Sequence, residues 1–135
     1  REIIEIAIVD LVVRNITDQQ LTEMEEVVRR MESISPPDLE EHLSCDVYFH
    51  ELMNKATGNT VLYELVSLVY NIVREVRREY FSSLEDFTLS CRYHRNILEA
   101  LKNRDLRRAK KAVQDHMDWV RKVFLGESGG AGTTE

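Results

Sequence analysis

Between Leu39 and Met53 the residues Leu39, Leu43, Asp46, His50 and Met53 recur at helical spacing, so they share one face of one helix. A carboxylate and an imidazole thus sit inside an apolar stripe. Burying a charge without a partner is costly, so any fold that covers this face must bring partners to both groups. The plain solution is a core hydrogen bond between Asp46 and His50. The other is that groups from distant segments converge on them.

The remaining residues read as five further helices. Ile3, Ile4, Ile6, Ala7, Val9, Leu11 and Val13 make residues 1 to 14 apolar nearly all round. Such a helix must be covered on more than one side, by a central position or a subunit interface. Thr17-Asp18-Gln19-Gln20 is a capping-box pattern that opens a second helix with Leu21, Met24, Val27, Val28 and Met31 on its stripe. Ser35-Pro36-Pro37-Asp38 is a turn and helix start, and the third helix spans about Asp38 to Ala56. Gly58 suits the left-handed position after it, and Asn59 a cap for the next. The fourth helix runs to about Tyr80, with Leu62, Leu65, Val69, Ile72 and Val76 expected in the core. Glu64, Ser67, Asn71, Arg74 and Arg78 are expected in solvent. Ser82-Ser83-Leu84-Glu85 reads as a second capping box, followed by a stripe of Leu84, Phe87, Cys91, His94, Leu98 and Leu101. After a turn at Asn103-Arg104-Asp105 the last helix aligns Leu106, Ala109, Val113, His116, Val120 and Val123. The expected fold is an all-α antiparallel bundle of about six helices over 1–125, with a Gly/Ser/Thr tail at 126–135 expected to be disordered.

Composition narrows the function. A formal net charge of −6 argues against nucleic-acid binding by these residues alone. No apolar run approaches the roughly 20 residues of a membrane span, and the apolar start lacks the features of a signal peptide. Cys45 and Cys91 have no metal or redox spacing and read as reduced core cysteines of a cytoplasmic protein.

His50, His94 and His116 lie on core stripes of three different helices, and Asp46 shares the stripe of His50. A single such histidine is usually a hydrogen-bonded core residue. Three of them in one bundle converge. Together they repel one another if protonated and need many partners if neutral. A divalent metal resolves both conditions, because it accepts neutral imidazole nitrogen and carboxylate oxygen. Without a thiolate the set does not suit a closed structural zinc site. It fits zinc, nickel, cobalt, manganese or iron, with zinc or nickel foremost, and octahedral coordination would leave two positions open. His42 is one residue off the stripe, in a charged run, and is left out. His50-Glu51-Leu52-Met53-Asn54 lacks the second histidine of a zinc-protease helix, and there is no Glu-x-x-His pair for a di-iron site.

Arg1-Glu2-Ile3-Ile4-Glu5, then Asp46-Val47-Tyr48-Phe49-His50 with Ala56-Thr57-Gly58-Asn59, then Tyr93 to Leu101 with Asp105, Ala109 and His116 form an ordered series. It resembles the C-terminal effector-binding domain of the FadR branch of GntR-type bacterial transcription regulators. The resemblance implies an antiparallel helical bundle with Asp46, His50, His94 and His116 on the four metal-ligand positions. It also implies a small organic acid as effector, whose carboxylate completes the metal's coordination, and a homodimer in which the apolar first helix takes part. The family's DNA-binding winged helix-turn-helix is not among these residues, so DNA contact is expected only through that N-terminal domain. Arg1 is a candidate second anchor for the effector. Two other readings stand beside this one. One is a small metal-dependent hydrolase or lyase, for which no general base is evident on the inward stripes. The other is a dimerising bundle whose polar core is only hydrogen-bonded.

Overall fold

The computed structural model describes residues 2–35, 38–80 and 83–126, apart from the side chains of 77, 79 and 80. Six helices and no strand occur among them: α1 (Glu2–Asn15), α2 (Asp18–Ser33), α3 (Leu39–Ala56), α4 (Thr60–Tyr80), α5 (Leu84–Lys102) and α6 (Leu106–Phe124). The boundaries follow local chemistry. Thr17 and Gln20 exchange the two bonds of a capping box, and Asp38 and Asp105 cap α3 and α6 through the amides of Glu41 and Arg108. Gly58 takes φ +73° between α3 and α4, where an L side chain would be strained, and Asn59 Oδ1 accepts from the Leu62 amide. The second capping box is displaced by one residue from its expected place. Ser83 and Asp86 form it, because Asp86 is the residue that reaches back to the Ser83 amide. Arg1, Ser82 and the expected tail from 127 onward lie outside the described residues.

Short turns at 57–59 and 103–105 fold α3 against α4 and α5 against α6. Helix α1 packs on α6 and α3, α2 on α3 and α5, so that five helices close a ring around one core. Val9, Val12, Met24, Val28, Phe49, Met53, Ile97, Leu98, Leu101 and Val113 fill it. Ionic contacts tie neighbours together outside the core: Arg95 and Lys102 of α5 grip Glu25 of α2, and Arg121 of α6 holds Glu2 of α1. Arg104, at φ +48°, donates to the carbonyls of Val13 and Ile16, closing the end of α1.

Helix α4 lies outside the ring, mainly on α3 and touching α6. Its rotation reverses the expected burial. Leu65, Ile72 and Val76 are exposed, while Val66 and Tyr70 are buried. Arg74 and Arg78, expected in solvent, turn to α3, where both reach Glu40 and Arg74 also reaches Ser44. Polar demand sets this orientation. Tyr70 is directed at a buried carboxylate in the ring, and Glu40 offers an ionic partner beside it. Leu84, expected in the core, is also exposed, because it occupies the first position of α5 at the edge of the bundle.

Candidate metal centre

Inside the ring, α3 presents Asp46 and His50, α5 presents His94 and α6 presents His116. One ligand-type atom from each lies within 4.8 Å of every other, and all four residues are buried. Asp46 Oδ1 is 3.0 Å from His94 Nε2 and 3.7 Å from His50 Nε2, so its nearer partner lies on another helix. The Nε2 atoms of His50 and His94 are 3.2 Å apart. The ring of His116 stands 4.6 Å from that of His94 and 5.1 Å from that of His50, centroid to centroid. Phe49 meets the edges of His50 and His94, and Tyr93 and Trp119 line the side of His116.

The Nδ1 atoms of His94 and His50 meet neighbours of their own. His94 Nδ1 lies 2.7 Å from the Ser90 carbonyl oxygen, which can only accept, so the proton is on Nδ1. His50 Nδ1 lies 2.8 Å from Glu5 Oε2 of α1. Glu5 is 1% exposed, and Tyr70 of α4 donates to its other oxygen at 2.6 Å. Asn54 Nδ2 in turn donates to the Tyr70 hydroxyl and to the His50 carbonyl. Tyr70 thus ties one Glu5 oxygen, while His50 Nδ1 lies beside the other. Two Nε2 atoms and a carboxyl oxygen of Asp46 face one another at 3.0–3.7 Å. Two acidic side chains, Glu5 and Asp46, are buried beside these imidazoles, and as carboxylates they bring two negative charges. A divalent cation matches both the donor set and the charge. The residues present thus fit a metal.

His42, left out of the sequence reading, is fully buried. Its Nε2 is 2.9 Å from Ser90 Oγ, and Phe87 packs edge-on against its ring. It belongs to the surroundings of His94 and not to the four-group cluster. Glu5 was legible in principle. It precedes Ile8, Val9 and Val12 at helical spacing, the pattern that singled out Asp46. Tyr70 and Ser90 carry no such signal. Both cysteines are free, and burial pushes the Cys91 thiol up to about 11. A surface groove of about 480 Å³ lies between α2 and α3, bordered by Glu26, Arg30 and Tyr48 and by none of the four clustered residues.

Residues 1–118 match the FCD domain. The chain belongs to the FCD domain family. Its fold is shared with two solved regulators. Escherichia coli McbR/YncC superposes with a TM-score of 0.80 at 18% identity, over 94% of this chain and 65% of that one. Streptococcus agalactiae GntR gives 0.76 at 27% identity, over 90% of this chain and 55% of that one. This FCD domain therefore spans less than two thirds of either neighbour. No curated protein sequence matches it. An FCD domain of this kind is a ligand-sensing regulatory domain of GntR-type regulators and not an enzyme. No helix among the described residues is long and apolar enough to cross a membrane.

Proposed function

We propose that this FCD domain, over residues 1–125, is the metal-dependent sensor of a cytoplasmic, homodimeric transcription regulator. Asp46, His50, His94 and His116 would hold one divalent ion, zinc or nickel foremost. The observation that carries this is the meeting of the His50 and His94 Nε2 atoms with Asp46 Oδ1, while His94 Nδ1 lies against the Ser90 carbonyl and His50 Nδ1 beside Glu5. A bound cation there supplies Lewis-acidic positions for an oxygen ligand, which suits a small organic acid as effector. The protein's own groups do the positioning. Ser90 and Glu5 orient the two imidazoles, and the aromatic side chains exclude water. An effector that prefers one helix arrangement shifts the population toward it, and attached DNA-binding domains follow. Arg1 lies outside the described residues and is not assigned a part.

Elemental analysis of protein purified without added metal, with His94→Ala as the paired variant, tests this reading. The expected result is close to one equivalent of divalent metal per wild-type chain and a clear loss in the variant. Melting temperature should rise with zinc or nickel in the wild type only. Small di- and tricarboxylates should shift the metal-loaded protein and not the stripped one. Equal metal content and equal melting in both proteins would remove His94 from the ligand set.

A further inference from the structure

Two buried polar rungs cross the core between α3 and α5. On α3, His42, Asp46 and His50 follow one another at intervals of four, so they share one row of the helix. On α5, Ser90 and His94 do the same. His42 Nε2 stands 2.9 Å from Ser90 Oγ, and Asp46 Oδ1 stands 3.0 Å from His94 Nε2. The second rung lies four residues on from the first along both helices. The two helices therefore run in the same direction here, and the rungs are about 6 Å apart at about 1.5 Å per residue. In the ring α3 and α5 are not neighbours. Helix α2 packs between them on one side, and α1 and α6 close the other. Their spacing is set across the core, by side chains.

We infer that His42 is a positioning residue for the metal centre, acting through Ser90 on His94. This rests on the sensor reading above and extends it to a residue outside the four-group cluster. Ser90 has two attachments with different targets. Its carbonyl accepts from His94 Nδ1 at 2.7 Å, and its hydroxyl is tied to α3 by His42. The His42 ring is itself held, since Phe87 of α5 packs edge-on against it and none of it reaches solvent. His42, Ser90 and His94 are all fully buried, so a group left unpaired there has no water to turn to. The tie makes no use of the ion. It holds α3 and α5 at the separation that Asp46 and His94 need before a cation arrives. Site groups displaced by more than about 0.5 Å lose their productive geometry. Loosening this rung therefore weakens the hold on the ion, although no ligand is removed.

Zinc competition against a chromophoric chelator tests this, with helicity and urea midpoint measured on the same samples. Wild type is compared with Ser90→Ala, His42→Leu, their double variant and His42→Gln. Ser90→Ala keeps the carbonyl that meets His94 and removes only the hydroxyl. It and His42→Leu should each bind zinc about 10–100-fold more weakly, the range typical of partners that orient a ligand. The double variant should be no weaker than the weaker single one, because the two residues act through one bond. His42→Gln, whose amide nitrogen can donate from about the place of Nε2, should bind within about threefold of wild type. Leu21→Ala, in the core near the start of α2, should lower the urea midpoint and leave zinc affinity within about twofold. A pair that only stabilised the fold would behave like Leu21→Ala. If His42→Leu loses its helicity, Ser90→Ala decides alone. Additive losses in the double variant, or a His42→Gln protein as weak as His42→Leu, overturn the inference. Wild-type affinity in Ser90→Ala overturns it while the sensor reading stands. A wild type that takes up no divalent metal overturns both.

Discussion

Replacing Glu5 by alanine tests the electrostatic logic of the site most directly. Glu5 is 1% exposed, stands 2.8 Å from His50 Nδ1 and accepts from the Tyr70 hydroxyl at 2.6 Å. Glu5→Ala strips two buried groups of their shared partner. Each such loss costs about 1–3 kcal/mol, so the metal-free protein should lose about 2–6 kcal/mol of unfolding free energy. That is a large part of the 5–15 kcal/mol typical of a domain. Metal affinity should fall as well, because His50 loses the group beside its Nδ1; such outer partners are typically worth about 10–100-fold. Urea denaturation with chelator present measures the first quantity, and zinc competition against a chromophoric chelator the second. Glu5→Gln keeps the shape and removes the charge, so it should retain most of the stability while still binding zinc less tightly. If Glu5→Ala binds zinc within twofold of wild type and its stability changes by less than about 0.5 kcal/mol, Glu5 positions nothing.

Two further outcomes follow from the surroundings of single residues. Lys102 first, and then Arg95, hold the Glu25 carboxyl down to about 2 from an ordinary 4.5. Its folded value is depressed, so the pairing stabilises the protein above about pH 4.5 and is lost as the pH falls toward 2. The gap in urea midpoint between wild type and Glu25→Gln should therefore close across that window; a gap that persists at pH 2 contradicts the assignment. Gly58→Ala should cost about 1 kcal/mol although a Cβ there meets open space, because the penalty is the φ of +73° alone. Gly58→Asn, which tolerates that region, should cost less in the same denaturation experiment.

Much of this arrangement is written locally in the chain. Thr17, Asp38, Asn59 and Asp105 cap helices where their side chains can reach the next turn's amides, so these four helix starts could be placed to within a residue or two, and that of α5 followed from the Ser82-Ser83 pair. The four clustered residues were legible because each interrupts an apolar stripe, and a bundle has one interior. Helix α4 was misread because the apolar-inside rule runs one way only. Its larger apolar residues outnumber what the bundle needs there, and the buried Glu5 makes a tyrosine hydroxyl the better inward group. Burial of His42 was hidden for a related reason. Its neighbours Glu40 and Glu41 are surface residues, and only the arrival of Ser90 and Phe87 from α5 closes over it.

Tyr70 gives α4 a mechanical property. The hydroxyl stands at least about 5 Å from the helix axis, so turning the cylinder by about 20° sweeps it through nearly 2 Å, more than a 2.6 Å hydrogen bond can stretch. Any torque on the outer side of α4 is thereby delivered to the carboxylate behind His50. Conversely, a change in the hold on that imidazole is felt as a twist at the surface.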